Sequence, residues 1–266
     1  MQKMPSVKKS RIFDFVSALA AYELWLYLAW QDIRLRYRRS KIGPLWITLS
    51  MAIFCVALGI VYSKILNMDV AEYLPFLAVG FVVWGFLSGM LAEFPNLYVE
   101  NAAYLKDAHI NPITILFRAV ARNTFIFGHN ALIIIGIYVY FNVQPGVVAF
   151  LAIPGLLLVL LNFVAIGVSL SILGARFRDI APINLSLIQI VFFISPIMWM
   201  PHLLSADSLV ILANPVGYYM DLIRAPLLGT APDAMSWYVS VSTLVIFGAI
   251  AIWVYDTKSA RIPFWV

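Results

Sequence analysis

The sequence predicts an all-α membrane protein: six transmembrane helices, an N-terminal amphipathic interface helix before them, and short re-entrant helices on the outer side. Three observations carry that prediction. Of the 266 residues, 63% are hydrophobic and only 12% charged, about half the charge of a soluble domain. Six apolar runs are long enough for a hydrocarbon core that needs about 20 residues per helix. The cations cluster at the ends of those runs and form no separate basic domain, so the net charge of +5 reports topology and not a nucleic-acid partner.

The first 44 residues form a tail and the interface helix. Residues 1–10 are polar and basic. From Arg11 to Lys41 the sequence is helix-prone but too charged to span: Phe15, Leu19, Trp25, Leu28 and Leu35 alternate with Asp14, Glu23, Gln31 and Asp32. Arg34, Arg38 and Lys41 fall at i, i+4 and i+7 and share a face. This pattern fits a helix in the inner headgroup layer, with its Trp residues at the interface and its cations toward phosphate. A soluble helical lead-in is the other reading of the same residues. No cleavable signal is evident, because Glu23 and Asp32 interrupt the first apolar segment.

Arg34, Arg36, Arg38, Arg39 and Lys41 stand directly before a Gly43-Pro44 break and a Trp46 that opens the first apolar run. Such a cluster holds its end of the first span inside the cell. Residues 45–256 are the membrane domain, with crossings expected at 45–63, 73–92, 123–143, 147–175, 181–201 and 237–255. The third starts earlier, near Thr114, with Arg118 and Arg122 snorkelling toward the inner face. The fourth is overlong and must tilt or project. With the N-terminus inside, every one of the 18 Lys and Arg except Lys64 and Arg224 falls at or near the cytoplasmic face. Both termini are therefore expected to be cytoplasmic, with residues 257–266 as a C-terminal tail. The Trp residues agree, since all but Trp84 sit near an expected boundary where such rings favour the headgroups.

Two connections stand out. Residues 96–112 join the second and third spans on the inner side, contain Glu100, Leu105, Lys106, Asp107 and His109, and end at Pro112. A short helix parallel to the membrane is expected there. The outer connection includes an apolar stretch of about a dozen residues, 209–220, too short to span and long enough to re-enter. Asn214-Pro215 breaks it, and Asp221 with Arg224 closes it as an i, i+3 charge pair. Irregular backbone at that depth is tolerated only against protein or a water-filled path, so residues 203–228 read as an outer gate. A hairpin that merely covers the bundle is the alternative.

The chemistry that is missing narrows the function. No Gly precedes a Lys, so a phosphate-binding P-loop is absent; no His/Glu metal spacing or nucleophile elbow occurs. Cys55 is the lone cysteine, which leaves no disulfide framework or thiolate metal site. His109, His129 and His202 are scattered. His129 beside Asn130 is a proton-relay candidate by its depth, although no carboxylate shares that depth and an interhelical hydrogen bond serves as well. No channel filter and no repeat with midplane charges is evident. The expectation is a permease without enzymatic activity, energised by another polypeptide.

The segment 32–46, D-I-R-L-R-Y-R-R-S-K-I-G-P-L-W, resembles the entry of ABC-2-type permeases that export polysaccharides, the O-antigen and capsule exporters. Further blocks are similar: residues 101–112 in the place of the coupling segment, with Asn111 where an aromatic is usual; A-R-F-R-D-I at 175–180 followed by S-P-I-M-W-M-P at 195–201; and Asn214-Pro215 with Arg224-Ala225. The likeness runs from about Tyr22 through most of the chain.

The resemblance implies a homodimer in the bacterial inner membrane, two cytoplasmic ABC ATPase subunits that bind ATP and Mg, no cofactor in this chain, and a polysaccharide cargo linked to undecaprenyl diphosphate. Capsule, teichoic acid or a small amphiphile or drug are alternative cargoes, and a non-transporting scaffold is a more distant reading. On this view Arg34, Arg36, Arg38 and Arg39 are candidates for the diphosphate headgroup, since guanidinium forks suit phosphate oxygens; fixing topology and binding ordinary anionic lipid is their other use. Trp84, Phe86, Phe192 and Phe193 are candidates to line a sugar path, although aromatics inside an apolar span also serve as packing. Glu100, Leu105, Lys106, Asp107, His109, Arg176, Arg178 and Asp179 are candidates for coupling to the ATPase. Asn214, Pro215, Tyr218, Asp221 and Arg224 are the outer-gate candidates.

Overall fold

A computed structural model describes residues 11–36, 38, 41–43, 45–108, 110–200 and 212–266. Among these residues every regular element is helical. Among the described residues five helices are long and apolar enough to cross a membrane. The expected tail at 1–10, Arg39, His109 and the first part of the outer connection, 201–211, lie outside the described residues.

The expected interface helix is two helices, α1 (Arg11–Ala20) and α2 (Tyr22–Arg36). α2 buries Ala29 and Ile33 and packs along the third span. The indole N–H of Trp25 donates to the carbonyl of Ala18 across the break, at 3.1 Å.

The first span is α3 (Leu45–Ile65). Asp69 then caps α4 (Val70–Glu93) by accepting from the amide of Ala71 at 2.9 Å, which satisfies one donor at a helix start. α4 is the centre of the bundle: its spanning window is 78% buried, against 11–22% for the other four crossings. α3 and the third span both pack against it and against each other. Below α4 comes an elbow, in which a 3-10 turn, Phe94–Asn96, leads to two short helices, α5 (Leu97–Glu100) and α6 (Ala102–Lys106). The expected inner segment is therefore helical but broken at Asn101.

Asn111-Pro112 starts α7 (Pro112–Phe141), with the Asn111 side chain accepting from the amide of Ile113 at 2.9 Å. Proline at the first helical position follows a capping Asn at no cost, because its missing N–H is one the helix end cannot use. The residue that departs from the usual aromatic thus has a structural task. It also donates to the carbonyl of Asp14 in α1 at 2.8 Å. The overlong fourth run is a 3-10 segment, Gly146–Leu151, followed by α8 (Ala152–Arg176).

The run expected to cross at 181–201 forms α9 (Ile180–Ile194). Fifteen helical residues rise about 22 Å, short of a core of about 30 Å. The helix stops because Ser195 precedes Pro196: a proline pushes its predecessor out of the helical region, and Ser195 is extended with ψ 145. The remainder of the run is irregular to Met200, where description stops. α10 (Pro215–Leu227) follows, then α11 (Ala234–Lys258), a 3-10 turn Ser259–Arg261, and a last short helix, α12 (Ile262–Trp265). α11 lies along α8.

Where α8, α10 and α11 meet, a polar set sits inside the apolar bundle. Tyr219 donates to Asn162 Oδ1 at 3.1 Å or Thr243 Oγ1 at 2.8 Å, and the Asn162 amide reaches the Ser240 carbonyl at 3.0 Å. Buried polar groups of this kind fix helix register in lipid, where leaving them unpaired is costly.

Candidate functional site

The most connected polar site lies at the elbow end of the bundle. Asp32 of α2 accepts from both forks of Arg118 on α7, at 2.9 Å from Nε and 2.6 Å from Nη2. Its second oxygen also accepts from Arg122 Nη1 at 2.6 Å. Arg122 in turn pairs with Glu93 at the end of α4, whose other oxygen accepts from Asn123 at 3.0 Å. Arg118 also donates to Asn101 Oδ1 at 3.2 Å and lies 5.1 Å from the centre of the Tyr104 ring. One network therefore joins the interface helix, the central span, the elbow and the third span.

This corrects the expected role of Arg118 and Arg122. They do not snorkel to lipid; their side chains are 13% and 20% exposed and turn inward to two carboxylates. A partly buried charge is tolerated when it is paired and hydrogen-bonded. The signal was present in the residues: Glu93 closes an apolar run, and Arg118 and Arg122 lie four apart on one helix face. Alternation of spans placed these charges at one end, but nothing in the spacing chose their partners.

Around this clasp stand the coupling candidates. Glu100, Lys106 and Asp107 are exposed on the elbow, and Arg176, Arg178 and Asp179 on the turn between α8 and α9. Leu105, expected in the same set, is only 5% exposed; it anchors the elbow in the core and presents nothing to a partner. Of the headgroup candidates, Arg34, Arg36 and Arg38 are exposed at or just past the end of α2. Two positions along a helix turn a side chain by about 200°, so Arg34 and Arg36 leave α2 on different sides, while Asp32 faces the bundle.

The four aromatic candidates do not form one surface. Trp84, Phe192 and Phe193 are continuous, with ring centres 5.7 and 5.2 Å apart. Phe81 and Phe54 extend the series toward α3. Phe86 points elsewhere and packs on Phe127 of α7 at 4.8 Å. Exposure also divides the set: Trp84 and Phe86 are 7% and 3% exposed, Phe193 73%. Phe193 lies on an open face of α9 that also carries Ser186 and Gln189. In thermal melting of the purified protein, Trp84→Ala is expected to cost about 3–5 kcal/mol, the range for a truncated core aromatic. Phe193→Ala should stay within about 0.5 kcal/mol, as at an exposed position. Equal melting of the two variants would contradict this division of roles.

At the opposite end the gate candidates are held together, but not as expected. Asn214 caps α10 through the amide of Val216 at 3.1 Å and donates to Ser195 Oγ at 2.8 Å, which joins the end of α9 to the start of α10. Pro215 is the first residue of α10. Tyr218 donates to the carbonyl of Leu212 at 3.3 Å. Asp221 and Arg224 line the same cleft and attract each other, but their hydrogen bonds go to other partners. Asp221 accepts from the amide of Asp233 at 3.0 Å and from Ser236 at 2.7 Å. Arg224 is 5% exposed, donates to the carbonyl of Pro196 and lies 4.3 Å from the centre of the Phe76 ring. A cleft of about 180 Å³, its wall more apolar than polar, opens among Asn214, Tyr218, Asp221 and Arg224. His129, the relay candidate, has its Nδ1 2.8 Å from the carbonyl of Phe125, four residues back in its own helix.

Comparison with known proteins bears on these surfaces. The family model described as ABC-2 type transporter matches residues 23–228. Two relatives from Klebsiella pneumoniae, each described as an O-antigen export system permease protein RfbA, are similar to this chain. One is 23% identical over 203 residues and the other 21% over 198 residues, in both cases across 73% of this chain and 76% of the relative.

Proposed function

The chain belongs to the ABC-2 type transporter family, and we propose that it is the permease subunit of an exporter that moves a lipid-linked polysaccharide, with O-antigen as the favoured cargo. The observation that carries the reading is the family match over 23–228, which starts in the interface helix and ends just past α10. The names of the two relatives favour the cargo. In this reading two copies form the path in the bacterial inner membrane with both termini inside, and two ABC ATPase subunits bind ATP and Mg and supply the force.

The residues divide the work as follows. The ATPases act on Glu100, Lys106 and Asp107 of the elbow and on the turn at Arg176, Arg178 and Asp179. The clasp of Asp32, Arg118, Arg122 and Glu93 transmits that movement to α2, α4 and α7 together, because moving one of these elements alone separates a partly buried charge from its partner. Arg34, Arg36 and Arg38, which are exposed, together with Arg39 receive the diphosphate of an undecaprenyl diphosphate carrier, since guanidinium forks suit phosphate oxygens. The open face of α9, with Phe193 and Gln189, lines the path, and α10 with its Asn214 cap forms the outer gate.

Depletion of the protein tests the reading. Cells should then accumulate carrier-linked polymer at the inner leaflet, while cells that keep surface polymer at its normal level would contradict it. The headgroup role has its own test. Arg34→Gln combined with Arg38→Gln should leave membrane insertion intact, since seven of the nine cations in the first 41 residues remain, yet lower export severalfold. Export at the normal rate would remove the substrate role of these two residues.

A further inference from the structure

The C-terminal residues, expected to be a tail, are folded onto the bundle. Past Lys258 the chain turns through Ser259–Arg261 into α12. Ile262 is fully buried, and Trp265 and Val266 pack against the core. Two cations from separate inner segments meet this strap. Lys106 of the elbow donates to the carbonyl of Val266. Arg176, at the end of α8, lies 5.5 Å from the centre of the Trp265 ring and 4.9 Å from that of Phe177. The strap therefore links the two segments to which coupling was assigned.

One side chain of the strap has no such use. Phe264 is 86% exposed, and Phe177 beside the Arg176 contact is 48% exposed. Large exposed rings next to cations are the composition of a protein interface, where aromatic anchors sit inside a charged rim. The exposed charges around the strap are of both signs: Glu100, Asp107 and Asp179 stand among Lys106, Arg176, Arg178 and the strap's own Arg261. An anionic lipid surface repels the three carboxylates, whereas a protein partner can match both signs.

We propose that residues 259–266 are the third part of the surface that receives the nucleotide-binding subunit, with Phe264 as the apolar anchor. Trp265 and Val266 hold Arg176 and Lys106 in register, so that the elbow and the α8–α9 turn meet the partner as one body. This rests on the ATPase-driven reading above and adds a contact to it.

Co-purification of the ATPase subunit with the full-length permease tests the contact, using Phe264→Ala and, in parallel, Lys106→Ala. Phe264→Ala should reach the membrane and melt as the unaltered protein does, because the ring it removes is exposed. Recovery of the ATPase should fall about tenfold, the loss expected for one anchor of an interface. Normal recovery with Phe264→Ala alongside a loss with Lys106→Ala would overturn the strap's role, assign Phe264 to the headgroup layer, and leave the elbow reading standing. If the unaltered permease retained no ATPase, the transport reading would fail, and the strap proposal with it.

Discussion

Replacing Gly174 by alanine is expected to prevent the bundle from closing. Gly174 lies in α8 where the turn below α4 crosses it. A Cβ at that position would stand 2.6 Å from both the Cα and the carbonyl carbon of Pro95, and nearer still to its oxygen. These are backbone atoms, and no rotamer change can move them. Relief requires α8 and the elbow to separate, which also lifts Phe94 from its place against Gly167, where an added Cβ would meet the ring at 2.9 Å. Overpacking of this kind costs about 3 kcal/mol or more, a large part of the stability of a single domain. The check is the yield of monodisperse protein after detergent extraction. Gly128→Ala is the control, since nothing lies within 4 Å of its added methyl; it should extract normally. Normal extraction of Gly174→Ala would mean that the elbow does not rest on α8 as described.

Asp32→Asn should have the second-largest effect. Asp32 is the shared acceptor of Arg118 and Arg122, which approach it at 2.6 Å each. An amide offers one acceptor oxygen and no charge, so Arg118 loses its carboxylate partner while Arg122 keeps Glu93. Removing one partner of a buried pair costs 3–5 kcal/mol; with Asp32 16% exposed the expected loss is about 2–3 kcal/mol. A double-mutant cycle with Arg118→Gln should show a coupling of about 1–3 kcal/mol. Because the clasp joins α2 to α4 and α7, transport should fall further than protein level. Independent, additive losses would show that the clasp does not act as a unit.

The contrast between these two sites shows what a sequence can and cannot disclose. The crossings were legible because lipid demands long apolar helices, and five of the expected runs form them. The capped starts at Asn111-Pro112 and Asn214-Pro215 were legible as local chemistry. Ser195-Pro196 was equally local, but hydropathy carries straight through it, so the run at 181–201 looked like one long helix. Partner choice was hidden for a different reason. Arg118 and Arg122 read as snorkelling cations because the residues that meet them, Asp32 and Glu93, lie 86 and 29 positions away. Helical rotation separated Phe86 from Trp84 and Phe192: two positions along a helix turn the side chain by about 200°. The C-terminal strap was missed because its short helix packs on the elbow and α8, segments far from it in the chain.

The central claim is that this bundle moves its cargo only with force supplied from the elbow side. Purified permease, reconstituted into vesicles with carrier-linked polysaccharide, tests it directly when polymer appearing on the far side is measured with and without the ATPase subunits and ATP. Movement that requires both is the predicted result. Movement with the permease alone, or none with the complete assembly and ATP, would contradict the account.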